Sequence, residues 1–141
     1  MMTDRVRRAQ LIVAILAILV GISVMIDADF SFSGAGGRLF LIGDSYPIGS
    51  LMSMNATGGA FLVVAGVLGA VSARAGVAAA AWLGAALCVV GAIVVFVGLG
   101  DKETLVGQGN ASNAAVLLTV AVGLGALQWG AGAARADTTA V

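Results

Sequence analysis

The hydrophobic runs of this chain offer few side chains that could do chemistry. The polar residues within them or at their edges are Ser23, Ser53, Asn55, Thr57, Thr119 and Gln128, and no run carries Asp, Glu, Lys, Arg or His in its interior. There is no histidine anywhere, which removes bis-histidine haem ligation, histidine metal sites and histidine general bases together. Cys88 is the one cysteine, so neither an internal disulfide nor a Cys-x-x-Cys redox centre can form. Hydrolysis or group transfer requires a nucleophile, a base or a metal. No such set is present, so the expectation is a non-enzyme with no catalytic residue, no metal and no cofactor. Proton relays and coupled transporters carry ionisable groups inside the membrane, and their absence from the runs counts against that class.

The elements that position these residues follow from composition. The 141 residues are 60% hydrophobic and 10% charged, with a mean hydropathy of +1.08. A soluble domain is nearer to about one-quarter charged, so the bilayer must cover much of this surface. Net charge is zero, which gives no case for a nucleic-acid partner. Four long apolar runs predict an all-α membrane protein with transmembrane helices over about 9–26, 51–73, 77–99 and 111–132. The first covers ~30 Å of hydrocarbon at about 1.5 Å per residue. Its basic head and apolar middle also match a signal peptide, but it ends Ile26-Asp27-Ala28-Asp29 with no Ala-x-Ala cleavage pattern, so it reads as a retained span. A membrane β-barrel is excluded because the runs are continuous, not alternating. The outer loops are 27–50 and 100–110, and the tail after 132 is expected to fray.

The arginines orient the bundle. With the N-terminus inside, Arg5, Arg7, Arg8, Arg74 and Arg135 are cytoplasmic, and only Arg38 and Lys102 are external. That is the positive-inside bias. Trp82 and Trp129 then fall near the inner interface, which suits an indole. The expected topology is N-in and C-in, in a bacterial inner membrane. Ser23, Ser53, Asn55 and Thr57 gather near the outer face and Gln128 near the inner one. Thr119 is deep, where its hydroxyl can bond its own helix.

Each run also carries small residues at helical spacing. They are Ala14, Ala17 and Gly21 in the first run, and Gly59, Gly66, Ala70 and Ala73 in the second. The third has Ala80, Gly84, Cys88, Gly91 and Gly98, and the fourth has Ala114, Ala121, Gly125 and Gly132 with Gln128. Membrane helices associate by close packing, so Gly59, Gly66, Gly84, Gly91 and Gly125 are the packing candidates. Cys88 reads as one more small packing residue.

The 27–50 loop is unusually apolar, and Phe30, Phe32, Phe40 and Tyr46 are its candidate partner contacts. Arg38–Ile42 suits a short strand or an interfacial turn. Pro47-Ile48-Gly49-Ser50, followed by Asn55, Gly58 or Gly59 and Phe61, resembles the second-helix pattern of small four-helix fluoride channels, and Gly34–Leu39 with Arg38 is similar to the stretch before it. The resemblance stops there. The third run lacks that family's Phe-Thr-Thr-Phe-Ser, and no site residues carry over.

The expected function is a non-catalytic accessory subunit of a larger respiratory or cell-envelope complex. It would contact other membrane subunits through its small-residue faces and its aromatic loop. The alternatives are a small homo-oligomeric channel or carrier, with Ser53, Asn55 and Thr57 at an outer vestibule, or a lipid-binding protein. A bound phospholipid is compatible with all three.

Overall fold

The computed structural model describes residues 3–34, 37–38, 53–101 and 103–140. Four helices dominate it: α1 Asp4–Asp27, α2 Ala56–Ala75, α3 Ala78–Val97 and α4 Ala111–Thr139. All four are long and apolar enough to cross a membrane. A two-residue antiparallel ladder, β1 Gly37–Arg38 with β2 Ser53–Met54, pairs Gly37 with Met54 and Arg38 with Ser53.

The helix ends follow local chemistry. Thr3 caps α1 by accepting the Val6 amide at 3.4 Å, so the basic head is already helical. α2 begins at Ala56, although its apolar run begins at Leu51. Asn55 is the reason: it accepts the amides of Thr57 and Gly58 at 3.0 and 3.2 Å, while Ser53 and Met54 are drawn into the ladder. Gly76 closes α2 in the left-handed region at φ +70°, its amide on the Ser72 carbonyl at 2.9 Å, and α3 turns back at once. Asn110 caps α4 through the Asn113 amide at 2.9 Å. The tail differs from expectation, because α4 continues to Thr139. Ala131, Ala133, Ala134 and Ala136 supply the helix propensity.

The helices form a closed ring in chain order, each antiparallel to the next. The tightest contact is α1 on α2. A Cβ on Gly21 would lie 2.5 Å from the Gly59 carbonyl oxygen, one on Gly59 2.7 Å from that of Gly21, and one on Gly66 2.6 Å from that of Ala14. The two backbones therefore touch with no side chain between them. On α3, Gly84 faces the Ala65 backbone and Gly91 faces Phe61 and Leu117. Gly125 sits in ordinary contact with Trp82. Leu62, Ala65, Cys88, Ala92, Leu117 and Leu124 fill the interior. Outward, Ile12, Leu16, Leu19, Leu83, Val90, Ile93 and Val122 are exposed, as lipid-facing positions should be.

The α1–α2 contact predicts a graded glycine series. Gly66→Val should destabilise the bundle by about 1–3 kcal/mol or more, because the added atoms meet backbone that cannot yield. Gly130→Ala, where a Cβ meets nothing within 4 Å, should leave stability unchanged or slightly raised. Reversible unfolding in mixed micelles measures both.

Candidate functional site

Among the described residues, the buried polar side chains lie in two groups, at opposite ends of the bundle. Gln10, Ser72 and Gln128 mark the end with the chain termini; Ser53, Asn55 and Asn113 mark the other. Between them the interior is apolar.

The far end is a hydrogen-bonded cap. Asn113, fully buried in the first turn of α4, accepts the Ser53 amide at 3.1 Å. Its Nδ2 donates to the Ser53 carbonyl at 2.7 Å and to the Gln108 carbonyl at 2.8 Å. One primary amide thus serves both polar groups of Ser53, as a neighbouring strand would. Asn55, also fully buried, ties three more segments together. Its amide donates to the Val106 carbonyl at 3.1 Å, and its Nδ2 donates to Leu105 at 3.1 Å and Gly34 at 3.4 Å. The Ala56 amide reaches the Ser31 carbonyl at 2.7 Å, and the Thr57 hydroxyl donates to the Phe32 carbonyl at 3.1 Å. Gly107 makes this crossing feasible. It sits at φ +127°, and a Cβ there would strike the Ser53 carbonyl and the Met54 and Asn55 backbone. Both asparagine amides have their donors committed to backbone carbonyls, so the cap offers a ligand little. It satisfies backbone groups that are buried inside the protein.

The other end is looser. Gln10 donates to the Gly69 carbonyl at 3.4 Å, and its Oε1 has no partner although the residue is fully buried. The Ser72 hydroxyl donates to Gln128 Oε1 at 3.3 Å. Beside Gln128, an open groove of about 490 Å³ runs between α3 and α4, flanked by Trp82 and Trp129. A second groove of about 430 Å³ lies at mid-depth between α1 and α4, lined by Val13, Leu16, Val20, Val116, Val120 and Thr119. Thr119 itself bonds the Ala115 carbonyl of its own helix at 2.7 Å.

Of the outer-edge candidates, Ser53 and Asn55 are buried and Thr57 is half-buried, and all three hold backbone in the cap. Of the loop aromatics, Phe30 and Phe32 are 57% and 60% exposed. Phe40 and Tyr46 lie outside the described residues. So does the Pro47–Ser50 part of the fluoride-channel resemblance, as do Leu39–Ile42 of the expected strand or turn; Arg38 belongs to β1. Asn113 and Gln10 were not among the sequence candidates. The signal was there: Asn113 lies four and eight residues before Leu117 and Ala121, and Gln10 four before Ala14, on each helix's buried face. Among the described residues no cluster of His, Cys, Asp or Glu comes together to hold a metal.

No protein-family model, curated protein or solved structure matches this chain. The site must therefore be read from its own geometry.

Asn113→Ala should cost about 2–4 kcal/mol, since it strands an amide and two carbonyls in a buried place. Asn113→Asp should be comparably harmful, because a carboxylate cannot donate to the Ser53 and Gln108 carbonyls. Asn110→Ala, a simple helix cap, should cost only about 1 kcal/mol. Unfolding midpoints of the three variants in one detergent would check the order.

Proposed function

We propose that this chain is a non-catalytic subunit of a larger bacterial membrane complex, in the respiratory chain or the cell envelope. One observation carries the reading: the bundle is filled, and its clearest offer to a partner is outside it. Phe30 and Phe32 stand exposed at the rim of the cap. They are set there by consecutive residues, Asp29 and Phe30, at φ +48° and +55°. A left-handed conformation costs a non-glycine residue roughly 1–2 kcal/mol, and such strain tends to collect where a segment serves a function. Exposed aromatics of this kind are what binding hot spots are made of.

The filled interior also weighs against a pore through a single copy. Leu62, Leu117 and Leu124 are fully buried between the two polar ends. A homo-oligomeric channel would have to place its path between copies. The mid-depth groove between α1 and α4 favours a second reading, in which the chain holds an acyl chain as a lipid-binding protein. The basic residues support a cytoplasmic placement of both termini in the inner membrane.

Purification from the native membrane in a mild detergent should bring down stoichiometric membrane partners. Replacing Phe30, Phe32, Phe40 and Tyr46 with serine should release them while leaving the helical content unchanged. A lone monomer or homo-oligomer from the unaltered protein would overturn the reading, and ion flux into liposomes by the purified chain would support the channel instead. A C-terminal reporter active only in the cytoplasm should be active, and the same reporter inserted at 100–110 should not.

A further inference from the structure

A cationic pocket sits at the terminal end of the bundle, away from the cap. Arg7 and Arg8 from α1 and Arg74 from the last turn of α2 converge on a cavity of about 340 Å³, which Leu11 and Asp4 complete. Three exposed arginines line it against one aspartate. The pocket lies at the edge of the apolar part of the bundle, since Leu11 begins the first hydrophobic run and α2 ends at Ala75. Two helices contribute, so the fold brings these residues together in an open hollow; they are not merely a row along one helix. Arg5, one turn before Arg8 on α1, does not line it.

An apolar surface continues from the pocket. On α1, Leu11 is followed at helical spacing by Ile15, Ile18 and Ile22; on α2, Arg74 is preceded by Val71 and Val67. Ile15, Ile22, Val67 and Val71 are each about half exposed, at 51, 43, 47 and 44%. Polar recognition at the top and an apolar track below it match an amphiphile.

We propose that this pocket binds the phosphate of an anionic glycerophospholipid, whose acyl chains lie along the Ile15–Ile22 and Val67–Val71 faces. A guanidinium binds phosphate oxygens through a fork of parallel N–H donors, and arginines from two helices can grip one phosphodiester from two sides. Asp4 opposes the anion and sets an upper limit on its affinity. An acidic segment of a protein partner would satisfy the arginines but leave the apolar track unused, which is why the lipid is the occupant. The inference does not depend on the chain belonging to a larger complex.

The test is native mass spectrometry of the delipidated full chain, titrated with phosphatidylglycerol or phosphatidylcholine. Both lipids carry the phosphodiester, but the quaternary ammonium of phosphatidylcholine would meet three arginines, so phosphatidylglycerol should bind at least about fivefold more tightly, and R7Q, R8Q and R74Q should each lower its binding by about fivefold, the contribution of one basic residue near an anionic surface. R5Q should change nothing. D4N should strengthen binding, a gain that a merely damaged fold could not produce. Equal binding of the two lipids, or an R5Q loss as large as that of R74Q, would overturn the proposal: the first denies headgroup recognition and the second reduces it to diffuse charge. Excess inorganic phosphate should fail to displace the lipid; full displacement would make the site one for free phosphate and overturn the role of the apolar track.

Discussion

The approach of α1 to α2 is the constraint on which the rest of the structure depends. Burying leucine against leucine gains little when lipid is the alternative, so helices in a bilayer must be held by contacts that lipid cannot imitate. Here those contacts are backbone against backbone. Gly21 and Gly59 face one another, and Gly66 faces the carbonyl of Ala14. Dispersion attraction falls steeply with distance, so removing a side chain at these three positions strengthens contacts along the whole interface. α1 can then expose Ile12, Leu16 and Leu19 without loss, because its attachment never relied on hiding them.

Close packing of four helices creates a second demand. Where their connections are buried, amides and carbonyls need partners from the protein itself. Asn55 and Asn113 meet it by acting as portable backbone, each presenting a side-chain amide to the segments that connect the helices. Asn113 completes both sides of Ser53, and Asn55 caps α2 while holding the 104–110 loop and residue 34. Gly107 allows the loop to pass against β2 at all.

Much of this was legible because small residues at helical spacing mean something definite in lipid. The four long apolar runs led to four helices, and in the fold Gly59 and Gly66 of the α2 stripe lie against α1. What was not legible depended on tertiary context. Ser53 lies inside the run that the hydropathy reading starts at Leu51, yet Asn55 takes the cap position and Ser53 joins a ladder. Gln10, at the start of the first run and two residues after Arg8, drew no attention, although it shares a face with Ala14 and Ala17 and is buried with them. Asn113 was passed over as the polar edge of a span. Periodicity placed it on the buried face of α4, but nothing in one sequence names the Ser53 backbone as its partner. The alanine-rich tail was read for its small polar residues, when its propensity carried the helix onward.

The two polar ends differ in a way that bears on how the bundle moves. The cap is saturated, with the asparagine bonds to Ser53, Gln108 and Leu105 between 2.7 and 3.1 Å. The terminal end is held by bonds of 3.3 and 3.4 Å and leaves the Gln10 Oε1 buried without a partner. An unsatisfied buried acceptor costs about 1–3 kcal/mol, a cost relieved by any opening that admits water or a donor. Local opening is cheapest where bonds are fewest and weakest, so α1 should part from its neighbours first at Gln10. The glycine contact at Gly21 and Gly59 and the cap beyond it then act as the hinge end. The cationic pocket lies where Gln10 would open, between Arg7, Arg8 and Arg74. An anion bound across α1 and α2 there would close the end of the bundle that the protein's own hydrogen bonds leave loosest.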